Sequence, residues 1–63
     1  MNFSKDKLWC VVTVEGDRDR YYTGSIEEET EDFIFFTDTK GKSFAFNKKF
    51  IKVIREWVQK MEG

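Results

Sequence analysis

Sixty-three residues with one cysteine, no histidine and no proline make a single small domain, 1–63, with no internal disulfide and no Cys/His metal cluster to support it. Seven Phe, two Trp and two Tyr supply the apolar area for a compact core, so tight packing or self-association has to do the work of those staples. The net charge is −1, yet residues 1–39 carry ten acids and four bases while residues 40–63 carry two acids and seven bases.

Residues 1–6 read as a loose or short helical leader. "KLWCVVTV" then alternates, with Leu8, Cys10, Val12 and Val14 on one face and Trp9, Val11 and Thr13 on the other. Period two with β-branched residues predicts a first strand. The Leu8–Val14 face is the more apolar and is expected to face the core with a buried, inert Cys10. "EGDRDR" is turn chemistry around Gly16. "RYYTGSIEEE" predicts a second strand with Tyr22, Gly24 and Ile26 inward. Gly24 inside that strand marks a bend or a close backbone approach. The acids of "EEETED" read as a solvated turn. "FIFFTD" predicts a third strand, apolar on both faces, and "TKGK" a glycine-containing hairpin loop. "SFAFN" predicts a fourth strand with Phe44 and Phe46 on one face.

The C-terminal segment has two readings. Ile51 and Val53 in "FIKVIRE" fit a fifth strand. Phe50, Ile51, Ile54, Trp57, Val58 and Met61 also fall at helical spacing, and Asn47 is a suitable N-cap. The template count favours a helix over 48–61 packed on four strands.

Three pieces together resemble the Sm-like proteins, the group that includes LSm and Hfq. "YTGSI" looks like that group's glycine signature in a bent second strand. "DFIFFTD" looks like its third strand, with Ile34, Phe36 and a terminal Asp38. "KGKSFAFNKKFIKVI" looks like its hairpin, fourth strand, tight turn and short fifth strand. The resemblance covers about three quarters of the chain. It implies an all-β, strongly bent antiparallel barrel of the SH3-like or Sm-like kind. It also implies a homo-oligomeric ring joined by fourth and fifth strands, with single-stranded RNA as ligand. The group's base-binding Asn falls on Phe33, its Ile-Arg-Gly motif on Phe46, Asn47 and Lys48, and its histidine signature has no counterpart. Its pocket therefore does not carry over residue by residue.

The residues themselves nominate a basic cluster, Lys48, Lys49, Lys52 and Arg55, beside an exposed Tyr21, for phosphate contact and base stacking. Trp9 and Phe33 are further ring candidates whose simpler role is core packing. The first expectation is a non-enzymatic binding module for single-stranded RNA. The second is a protein–protein assembly module that sets the acidic turn against the basic C-terminal face, which the near-zero net charge favours. The third, tied to the helical reading, is a four-strand-plus-helix binder of single-stranded DNA. No nucleophile motif, metal-binding spacing or phosphate-cradling glycine loop points to an enzyme or a cofactor. No apolar run approaches the ~18 residues of a membrane helix. A lone Cys without a signal peptide points to a reducing, cytoplasmic setting.

Overall fold

The computed structural model describes residues 6–58. Five antiparallel strands form one curled sheet: β1 (Trp9–Glu15), β2 (Arg18–Glu29), β3 (Phe33–Asp38), β4 (Ser43–Asn47) and β5 (Ile51–Glu56). Their order is β4-β3-β2-β1-β5, so the central strands are β1, β2 and β3 and, among the described residues, the free edges belong to β4 and β5. This is the all-β, barrel-like architecture expected from the strand patterns. The leader, apart from Asp6, and Met61 lie outside the described residues.

Each connection follows from local chemistry. β1 and β2 join through the two-residue loop Gly16–Asp17, with Glu15 facing Arg18. Gly16 takes φ 66° at the first central position, where a tight hairpin of right-handed twist calls for glycine. Between β2 and β3, the Thr30 hydroxyl oxygen accepts from the Phe33 N–H at 3.0 Å. Between β3 and β4, the Asp38 carboxylate accepts from the Lys40 and Lys42 N–H groups at 2.9 and 2.8 Å. The acid that ends the third strand is thus a turn-former. Asn47 caps a single 3₁₀ turn, Lys48–Phe50, by accepting from the Lys49 N–H at 3.1 Å.

The core gathers on the concave face. Val11, Ile26, Ile34 and Phe36 are buried together, with Trp9, Tyr22, Phe44, Phe46, Ile51 and Ile54 packed around them. Burying side chains of this size gives about 1.5–3 kcal/mol each, the main stabilising term available to so short a chain. Tyr22, Gly24 and Ile26 point inward as their alternation predicts. β1 corrects its prediction: Trp9 and Val11 face the core, opposite the face chosen from hydrophobicity alone. Cys10 and Val12 are still buried, because β1 lies between β2 and β5 and neighbouring side chains cover its short outward groups.

The C-terminal segment corrects the helical reading over its described part. Val11 pairs with Ile54, Val12 with Val53 and Thr13 with Ile51, which leaves Lys52 as an extra residue in a β-bulge. The bulge turns Ile51 and Ile54 to the same face although they are three residues apart. Three-residue spacing imitated a helix, and pairing to β1 is what the apolar face satisfies.

Candidate binding surfaces

The five nominated residues separate into two groups. Tyr21, Lys52 and Arg55 share the convex face of β2, β1 and β5. Tyr21 and Val53 flank Val12 on either side, and Arg55 sits across from Cys10. Tyr21 is 64% exposed, so its ring is available for stacking. Lys52 donates to the Asp19 carboxylate at 3.0 Å. That hydrogen bond, and then the charge of Asp19, holds the lysine's pKa above its ordinary value. The basic character of this face is partly spent inside the chain.

Lys48 and Lys49 lie on the 3₁₀ turn, in a different setting. Lys48 donates to the Glu29 carboxylate at 2.6 Å, in a half-buried pair. The hydrogen bond from Lys48 lowers the Glu29 pKa against the opposing effect of desolvation. The Lys48 N–H also donates to the Asp32 carbonyl at 2.8 Å. Glu27, Glu28 and Glu29 belong to β2, as the strand reading of "RYYTGSIEEE" has them, and only Thr30, Glu31 and Asp32 form the turn, which narrows the turn reading of "EEETED" to its last three residues. The acidic stretch and the basic end thus meet within one chain. Lys49 instead holds its ammonium 5.3 Å from the centre of the Phe50 ring.

One further surface was signalled in the sequence only by Phe33 as a candidate ring, and a second was not legible there as a site. On the convex face of β3, Phe33 and Phe35 stack with ring centres 6.4 Å apart, and both are over one-third exposed. At the end of the sheet near the β1–β2 hairpin and the 3₁₀ turn, a cleft of about 430 Å³ opens. Tyr22, Phe33, Phe46 and Phe50 line it along with Thr13, Glu15 and Asn47. Tyr22 and Phe46 read as ordinary core residues, because alternation gives a side chain's face and not whether a neighbour closes over it. Phe50 was the available signal: an apolar ring in a tight turn with no strand position to fill.

Among the described residues, no group of His, Cys, Asp or Glu is placed to hold a metal ion, and no helix is long and apolar enough to cross a membrane. Comparison with protein-family models, curated proteins and solved structures returned no significant match. The class defined by the coordinates is therefore a small antiparallel sheet, curled toward a barrel and open along one seam.

Proposed function

We propose that the chain is a non-enzymatic binding module that works as a homo-oligomer, with the free edge of β4 on one copy joined to the free edge of β5 on the next. The observation that carries this reading is the sheet order, which among the described residues leaves one unpaired edge on each of these strands. Unpaired strand edges are templates for another chain, and monomeric proteins usually blunt them with lysine or proline. β4, with the sequence Ser-Phe-Ala-Phe-Asn, carries neither. The resemblance to the Sm-like group supports the same pairing. A joined edge would also supply the stability that a small core lacks. Multi-angle light scattering tests the proposal: a mass that is a multiple of the monomer supports it, and a strict monomer at high concentration removes it.

Single-stranded RNA is the second part of the reading, favoured by one observation. The exposed Tyr21 ring shares a face with Lys52 and Arg55, and aromatic stacking beside basic groups is how single strands are held. Affinity for a uridine-rich oligonucleotide should fall steeply as salt rises. Tyr21→Ala combined with Arg55→Glu should weaken it by at least about tenfold, since stacking alone contributes ~1–3 kcal/mol per base. An oligonucleotide that does not bind at low salt removes RNA and leaves assembly standing. The DNA-binding alternative loses the helical reading that favoured it, because Ile51–Glu56 is strand β5. A reducing, cytoplasmic setting belongs to the same proposal and is supported by the free, buried Cys10.

A further inference from the structure

We propose that the cleft beside the 3₁₀ turn is a receptor for an alkylated ammonium group. The cleft is complete within one chain, so it does not depend on the assembly proposed above. Its inner wall is made by Tyr22 and Phe46, whose ring centres lie 4.8 Å apart with planes inclined at 50°. Both rings also pack against Phe44, and Phe46 against Phe36. The cleft therefore meets two aromatic surfaces set at an angle. A flat nucleobase stacks best on one open ring face, whereas a compact cation can be met by inclined rings through the negative faces of their π-systems.

The charges around the cleft agree. Glu15 lines it and no basic side chain does. Glu15 is highly exposed, and its ion pair with Arg20 is long at 3.4 Å. The Asn47 side-chain oxygen accepts from the Lys49 N–H, so the only formal charge among the lining side chains is that of Glu15. At the rim, Phe50 is 54% exposed and carries the Lys49 ammonium 5.3 Å from its ring centre. The protein thus already seats a cation on one lining ring. An incoming ammonium shares that ring with Lys49 and is opposed by its charge. The volume, about 430 Å³, lies in the ordinary range for small-ligand sites and exceeds what a tetramethylated head requires.

The test is a titration followed by ¹H–¹⁵N NMR on the full chain, with light scattering on the same samples to keep assembly separate. Tetramethylammonium chloride is the first probe and neopentyl alcohol its neutral isostere. Choline and a peptide carrying trimethyl-lysine then distinguish a free ligand from a modified side chain. Tetramethylammonium should give saturable shifts at the Gly16 and Asn47 amides, and the alcohol should bind roughly tenfold more weakly. Phe50→Ala, at an exposed ring, should weaken binding about three- to tenfold while the rest of the spectrum stays folded. Glu15→Gln should weaken it in the same direction. Lys49→Met is the sharpest variant: it should tighten the cation, whereas a phosphate-bearing ligand would be weakened. No saturable shift, equal binding of the alcohol, uridine monophosphate taking the cleft in preference, or weaker cation binding in Lys49→Met would each overturn the proposal.

Discussion

Gly24 is fixed by the backbone opposite it. A Cβ built there would clash with the Thr37 carbonyl oxygen and lie 2.6 Å from the Asp38 Cα, so β2 and β3 would have to part. Gly24→Ala should therefore cost about 2 kcal/mol or more in urea unfolding, at the upper end for overpacking. Gly41 stands in open space and needs glycine only for its φ of 87°. Gly41→Ala should cost less, about 1–2 kcal/mol. At the Glu29–Lys48 pair, the carboxylate's pKa is lower in the folded chain than in the unfolded one, so the folded state favours the ionised form. Its contribution is present above the unfolded value of about 4.3 and is lost as pH falls through the lower folded value. Glu29→Gln should flatten the acid limb of stability against pH, as followed by urea unfolding across the acid range. The Lys52–Asp19 pair has the opposite sign. Lys52's folded pKa is raised, so its contribution is complete below the unfolded lysine value and is lost as pH rises through the folded one.

At the scale of elements, β5 explains where sequence reading succeeds and where it stops. Four strands were legible because each alternates cleanly or is bounded by Gly, Asp or Thr at its turns. β5 was ambiguous because a bulge at Lys52 converts period two into a three-residue step. A bulge depends on the partner strand, and no local pattern encodes the partner. The inward face of β1 was misassigned for a related reason: β1 is buried on both sides over Cys10, Val11, Val12 and Thr13, so its more apolar face need not be the one facing the core. The bulged strand makes a prediction that a helix would not. Ile51→Ala and Ile54→Ala should each cost about 1–3 kcal/mol, because both pack on the core. Val53→Ala, on the outer face between them, should cost under about 1 kcal/mol. Chemical denaturation of the three variants separates the cases. A large Val53 effect would mean that the register is wrong.

For the whole molecule, the charge asymmetry visible in the sequence turns out to close on itself. Lys48 meets Glu29 and Lys52 meets Asp19, so two of the four nominated cations are bound before any partner arrives. The nominated site was legible as a set of residue types and not as a place. Lys48 and Lys49 sit on the turn, while Tyr21, Lys52 and Arg55 sit on the convex face. Which side chains share a surface is decided by strand order, and that order also leaves β4 and β5 each with an open edge. Assembly through those edges is the central claim. Light scattering across a wide concentration range tests it most directly. A mass that settles at a fixed multiple of the 63-residue chain is the predicted result, and a monomer that persists at the highest concentration would contradict it.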